Sequence, residues 1–447
     1  MKSFVKNITL MALALSLKGQ YATAQTPTYS LQQLKETALK SNHILSVKQW
    51  QIAEREAKIK EDETKRYPTA TVNGNYQYNF NLANITIPAG SIGVLPVSAT
   101  VQVPLPNEDK NIQIGNKNLY NLGVTAYQPI SQQIKIKTGL EVNRMDVAIT
   151  EKEKQKIALQ ITQGVEQLYY GTLIAQKQLE EAEAKLAVAK AKLGDVETAI
   201  AAGKTIDVNQ AGLLANIADE EQNILKLSIQ AQNYKSDLVK LTGIADEDFN
   251  LQESSFAMEQ VAGIENFKNA SSSNPDIQIA SLTKEKAQLG IKAAQQSTLP
   301  DFGFVTGYTY QSGNPILPNH NPFVGLNLKW NVQDLFSNKH LLKQREAQAK
   351  QAEENILNLQ QQVTSDIEKA YRKVNQSKSL IAVAQRVLDY RTKELKVQED
   401  KQVAGLNVKT DTLNTKALVA KANADVYAAQ LAYTLAVSEL KSLIGNQ

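Results

Sequence analysis

Cysteine is absent from the 447 residues, and the three histidines stand far apart at His43, His320 and His340. Thiol nucleophiles, disulfides, lipid attachment through an N-terminal cysteine and histidine-clustered metal sites have no residues to work with. No catalytic, metal-binding or cofactor-binding constellation is visible, so no enzyme is expected. The side chains whose spacing suggests a task are aromatic: Tyr76, Tyr78, Tyr308, Tyr310 and Trp330, each two residues from another apolar side chain. Rings with an apolar body and a polar edge suit a boundary between hydrocarbon and water.

Four alternating segments position them. From Thr69 to Asn81 the odd positions are Thr, Asn and Gln, whereas the even ones are Ala70, Val72, Gly74, Tyr76, Tyr78 and Phe80. Such alternation puts the apolar side chains on one face of a strand. The pattern returns with Tyr120, Leu122, Val124 and Ala126, with Phe302, Phe304, Tyr308 and Tyr310, and with Val324, Leu326, Leu328, Trp330 and Val332. The connections 82–117 and 312–321, rich in proline and glycine, read as exposed loops without a core of their own.

Behind the strands lies a duplication. Leu122 to Gly243 superposes without a gap on Val324 to Gly445 at an offset of 202, matching Glu166 with Glu368, Tyr169 with Tyr371 and Gly203 with Gly405. A second offset, 232, relates Asn42, Pro68 and Tyr76 to Asn274, Pro300 and Tyr308. Repeats of this kind signal a fold built by pseudo-symmetry. No proline occurs from Ile130 to Asn274 or from Phe323 onward, which permits very long helices. Leu179, Leu186, Leu193 and Ile200 in one copy, and Ile381, Leu388 and Leu395 in the other, form coiled-coil seams. A 70-residue helix would span roughly 105 Å, and the return helix matches that length only if the helix before the strands stacks on its end.

The expected plan is a signal peptide over 1–24, a first repeat over 25–243, a linker over 244–273 and a second repeat over 274–447. The first repeat holds helix 28–67, strands 69–81 and 118–129, long helix 131–201 and return helix 206–243, with Asp207 a candidate cap. The second holds helix 274–299, strands 301–311 and 322–332, long helix 334–402 and return helix 408–445. The signal reading rests on basic Lys2 and Lys6, a short apolar core and Ala22-Thr23-Ala24, with the mature chain starting near Gln25. Its removal takes away three lysines and nearly cancels the formal charge of +4, so basicity gives no reason to expect nucleic acid.

Apolar-out, polar-in strands carrying aromatics are the mark of an outer-membrane barrel. Backbone groups in lipid must all be paired, so the sheet must close, and four strands are too few. Three copies would supply twelve.

This ordered combination resembles the TolC family of trimeric outer-membrane efflux channels. The strand–strand–long helix–return helix duplication, Asn274-Pro275-Asp276, Leu299-Pro300 and the turns at Gly203 and Gly405 carry the resemblance over more than 400 residues. It implies a mainly α fold with a membrane β part, in which a twelve-stranded outer-membrane barrel continues into a periplasmic coiled-coil tunnel. It also implies a homotrimer embedded in outer-membrane lipid. The helical tips at Gly203, Lys204, Gly405 and Leu406 would dock on a periplasmic adaptor that works with an inner-membrane transporter. Asp411 falls where the family places the first acidic residue of a periplasmic gate, while Asn414 replaces the second. Three Asp411 carboxylates around an axis would favour cations; a lone Asp411 would merely complement a helix N-terminus. The function implied is passive conduction of drugs and other toxic small molecules. A protein-secretion outlet is the alternative in the same class, and a periplasmic coiled-coil adaptor the alternative in another.

Overall fold

The computed structural model describes residues 27–446, apart from 99, 101, 204–207, 246–248, 254–255, 315–316 and 407–408. The signal segment and mature start, together with Lys204 and Asp207, lie outside the described residues. The chain divides into two compact units. One comprises Gln51–Ile149 and Ser281–Glu354; the other comprises the stretch ending at Trp50, Thr150–Ala280 and the stretch from Asn355 onward.

The first of these units carries the sheet. Strands β2 (Thr69–Tyr78), β7 (Asn118–Pro129), β9 (Asp301–Ser312) and β10 (His320–Lys329) pair antiparallel in the order β10-β9-β7-β2. The register sets even residues opposite even ones throughout: Val72 faces Val124, Val124 faces Tyr308, and Phe304 faces Leu326. One parity therefore occupies one face of the whole sheet. Connection 82–117, expected as an exposed loop without a core of its own, holds two short and mostly exposed ladders, β3 (Ala83–Ile87) with β6 (Lys110–Ile114) and β4 (Gly93–Pro96) with β5 (Gln102–Leu105). Their alternation runs over only four or five residues, too few to separate from a proline-rich loop by sequence.

Helices flank the sheet in matching order. These are the ends of α2 (His43–Thr64) and α6 (Pro275–Ser297) and the beginnings of α3 (Gln132–Ala201) and α7 (Gln333–Val403). Polar contacts join α2 to α3 (Asn143 to Asp62, 2.8 Å), α3 to α6 (Lys286–Asp146, 2.6 Å) and α6 to α7 (Lys284–Glu353, 3.0 Å). Hydrogen bonding to Lys65, ahead of a smaller opposing effect of burial, holds the Asp62 carboxyl below its ordinary range.

The second unit contains the helical hairpins, α3 with α4 (Val208–Thr242) and α7 with α8 (Lys409–Ser442). Its core repeats as the sequence does. Ile161, Val165 and Leu238 in one cluster have their mates Val363, Ile367 and Leu440 in the other. The expected single helix over 28–67 is broken: α1 (Leu31–Ser41) ends at Asn42, whose backbone is extended, and α2 begins again at His43. Asn42 uses its side chain as a splice. Its amide donates to Leu241 O at the end of α4, while its oxygen accepts from Ile44 N. Asn274 does the same with Leu443 O and Asp276 N, at 2.9 and 2.8 Å. The two offsets meet here, each asparagine clamping a return helix to the helix that follows it in space.

The linker 244–273 forms a strap with short ordered elements among its described residues. β8 (Asn250–Leu251) pairs in parallel with β1 (Thr28–Tyr29), and α5 (Ile264–Asn269) follows. Tyrosines fasten this strap: Tyr169 donates its hydroxyl to Gln252 O, and Tyr433 to Glu259 O at 2.6 Å.

Candidate functional site

The even face of the sheet carries thirteen large apolar side chains, all exposed in the single chain. They run from Val72, Tyr76 and Tyr78 on β2 to Val324, Leu326 and Leu328 on β10, with Leu326 76% exposed. A continuous apolar patch of this extent is not left to water. The opposite face is mostly Asn, Gln, Thr and Gly. Close backbone approach explains one glycine: a Cβ at Gly307 would lie 2.6 Å from both the Phe323 ring and Val124 O. The outer strands β2 and β10 have no partner on their free edges among the described residues. Among those residues, no helix is long and apolar enough to cross a membrane.

The aromatic residues divide between the two ends of this face. Tyr76, Tyr78, Tyr308 and Tyr310 sit at the end where the strands turn. Here Tyr120, not among the five expected residues, packs against Tyr76 at 5.1 Å between ring centroids with the rings tilted by 36°, and the Tyr308 hydroxyl meets His320 Nδ1 at 2.5 Å. Tyr120 was visible in the alternation, but its role emerges only from the register that sets it beside Tyr76. Trp330 follows the last residue of β10 at the opposite, helix-bearing end, and its indole N–H donates to Thr298 O at 3.1 Å. The five aromatics that the sequence assigns to a boundary between hydrocarbon and water thus fall in two groups, because β10 runs away from the turns as its numbers rise.

In the hairpin unit the helices adjoin in the order α4, α3, α8, α7. Lys190 of α3 meets Glu221 of α4 at 3.4 Å; Gln163 of α3 donates to Ser442 of α8 at 2.5 Å; Lys373 of α7 meets Glu439 of α8 at 2.8 Å. Near the tips Thr410 donates to Asp195, tying the second hairpin to the first. Gly203 and Gly405 both have positive φ, +69° and +71°, which glycine adopts without Cβ strain. Leu406 N bonds back to Lys401 O and Gly405 N to Gln402 O, closing the end of α7 as a Schellman motif. Val403 and Leu406 project almost wholly into solvent there, at 91% and 79% exposed. Asp411 lies in the first turn of α8 and is exposed, as is Asn414 one turn on, while Thr410, Thr412 and Thr415, interleaved with them, are buried. The single chain therefore brings Asp411 and Asn414 to one face of α8.

The sequence matches the outer membrane efflux protein family over residues 34–244 and 266–446. The chain belongs to that family. No curated protein matches it in sequence. Among solved structures it is similar to CusC, described for conformational changes accompanying folding and transmembrane channel formation, with TM-score 0.73 and 16% identity over 97% of this chain and 96% of that one. It is likewise similar to the outer membrane protein VceC of Vibrio cholerae, with TM-score 0.70 and 16% identity over 93% of this chain and 96% of that one. The open-state MtrE outer membrane channel of Neisseria gonorrhoeae gives TM-score 0.69 and 14% identity, covering 93% and 89%.

Membership places the protein in the outer membrane and makes it an efflux channel component, a transport protein rather than a member of an enzyme family. Channels of this family are trimeric and operate with adaptor and inner-membrane pump partners in general. The adaptor and secretion-outlet alternatives are not favoured by this match.

Proposed function

We propose that three copies close β2 of each onto β10 of the next, giving a twelve-stranded barrel that conducts drugs and other toxic small molecules out of the cell. The carrying observation is the four-stranded sheet with one apolar, exposed face and two open edges, since backbone polar groups in lipid require closure. Two structural repeats, 25–243 and 274–447 joined by 244–273, supply the wall. Tyr76, Tyr78, Tyr308 and Tyr310 mark one lipid boundary and Trp330 the other. The turns at Gly203, Lys204, Gly405 and Leu406 meet a periplasmic adaptor, with Val403 and Leu406 offering exposed apolar contacts at the second of them. Asp411 and Asn414 line the periplasmic gate.

Purification from outer membranes followed by a mass measurement should give a trimer, and reconstitution in planar bilayers should give one conductance per trimer. Deletion should sensitise the cell to a panel of toxic compounds. A monomeric or dimeric membrane species without conductance would overturn the reading.

A further inference from the structure

Two apolar stripes in the hairpin unit are unaccounted for by the chain's own packing. On α7, Leu380, Val383, Val387, Tyr390 and Val397 are all exposed, spaced three and four apart or in multiples of seven. They form a second coiled-coil seam beside the one that packs on α8 through Ile381, Ala384 and Leu388. On α4, Leu214, Leu225 and Ile229 are exposed and fall within about 60° of arc at 100° per residue. Since the helices adjoin in the order α4, α3, α8, α7, these stripes lie on the two outer flanks of the unit.

We infer that the α7 seam of one copy packs antiparallel on the α4 stripe of the next, with Leu380 level with Ile229, Val383 and Val387 with Leu225, and Val397 with Leu214. This rests on the ring of copies proposed above and fixes its register. The register comes from the first hairpin. There, a Cβ at Gly164 would lie 3.2 Å from Leu241 and one at Gly171 3.2 Å from Tyr234, while Lys190 meets Glu221 at 3.4 Å. The repeat offset of 202 turns those α3 positions into 366, 373 and 392 of α7. Interpolating sets each apolar pair level within about one helical turn. The two hairpins are level inside the chain: α8 reaches Asp195, the mate of Val397, through Thr410, and Glu399 of α7 through Lys416 at 3.1 Å.

Charge agrees with this register. Residues 219–221 of α4 are Asp-Glu-Glu, and the facing stretch of α7 carries Arg386 and Arg391. At the same register Arg391, which also meets Glu394 of its own helix at 2.7 Å, comes level with Asp219 on one side of the seam, and Arg386 comes level on the other with Glu221, which also meets Lys190 at 3.4 Å. Such flanking pairs set partner and orientation in coiled coils. Reversing the α7 direction or sliding it by two turns would separate both.

The cysteine-free chain permits a direct test. Leu380→Cys combined with Ile229→Cys, oxidised in outer membranes, should shift most of the protein to a trimer-mass band that reductant returns to monomer. The control, Leu380→Cys with Leu214→Cys, is displaced by fifteen residues, roughly 22 Å along α4, and should not cross-link. All three positions are exposed in the single chain, so its own folding is not at stake. Arg391→Asp should lower the temperature at which the trimer dissociates on a gel, and adding Asp219→Arg should restore it. A preparation with trimer mass that cross-links the control pair, or fails to cross-link the first, overturns the register while leaving the ring intact. A preparation that is not trimeric overturns the ring and the register with it.

Discussion

Single side chains bear on the strap and on the gate proposed at the tip. Burial, with smaller effects of Tyr170 and Tyr427, pushes the Tyr169 hydroxyl up to about 12 from its ordinary 10.0. Its pKa is raised on folding, so its contribution is complete below pH 10 and is lost as pH rises towards 12, where the unfolded chain ionises first. Tyr169→Phe should cost stability near neutrality through the lost bond to Gln252 O, about 1 kcal/mol. It should also flatten the fall in melting temperature between pH 10 and 12, read by circular dichroism. Lys268 meets Glu368 at 2.9 Å and holds that carboxyl below its ordinary range, so the pair's contribution is present above the usual glutamate pKa and disappears as pH falls through the lowered one. At the tip, Asp411 is exposed in a first helical turn, where a carboxylate complements the dipole whether or not two others face it. Only the ring reading moves a current: Asp411→Ala should raise single-channel conductance or weaken block by multivalent cations in planar bilayers. Unchanged conductance and block would leave Asp411 as a helix cap.

At the scale of elements, α8 is seated near its start by threonines where a coiled coil would ordinarily place leucine or alanine. Thr410 spends its hydroxyl on Asp195, and Thr415 on Asp411 O at 3.0 Å, whereas the Thr412 hydroxyl is buried and has no partner among the described residues. Opposite substitutions should therefore differ in sign. Thr410→Val leaves the Asp195 carboxylate without its donor and should destabilise the tip by roughly 1–2 kcal/mol, whereas Thr412→Val removes an unsatisfied hydroxyl and should stabilise it by about 1 kcal/mol. Amide exchange across residues 409–415 would report both changes. The sequence revealed the strands and long helices because their periods are unbroken over ten residues or more. It did not reveal the break at Asn42: asparagine weakens a helix without by itself ending one, and its side-chain partner here is a carbonyl 199 positions away, outside any local pattern. Nor did it expose the outward seam of α7, since Leu380 stands one place before Ile381 and a run of adjacent apolar residues reads as one stripe.

For the whole molecule, the 82–117 excursion is the largest departure from internal symmetry, about thirty residues longer than its counterpart. Its ladders continue β2 and β7 through the bond from Asn79 N to Lys117 O and, among the described residues, make no pairing with β9 or β10. Replacing it by a loop as short as 312–321 should leave heat-resistant trimers forming at an unchanged yield. A loss of trimers would show that the excursion takes part in assembly. The architecture, and with it the need for three copies, was legible because lipid enforces parity along every strand; the flank residues proposed to join neighbouring copies were not, because they look like ordinary surface until the neighbours within the chain are known. The two free edges of the sheet have a further effect, on kinetics. No chain owns a complete barrel, so stable insertion cannot be a first-order event of one molecule. The yield of inserted protein should climb faster than linearly with chain density in a bilayer, and chains that arrive alone should be lost to aggregation through those same edges.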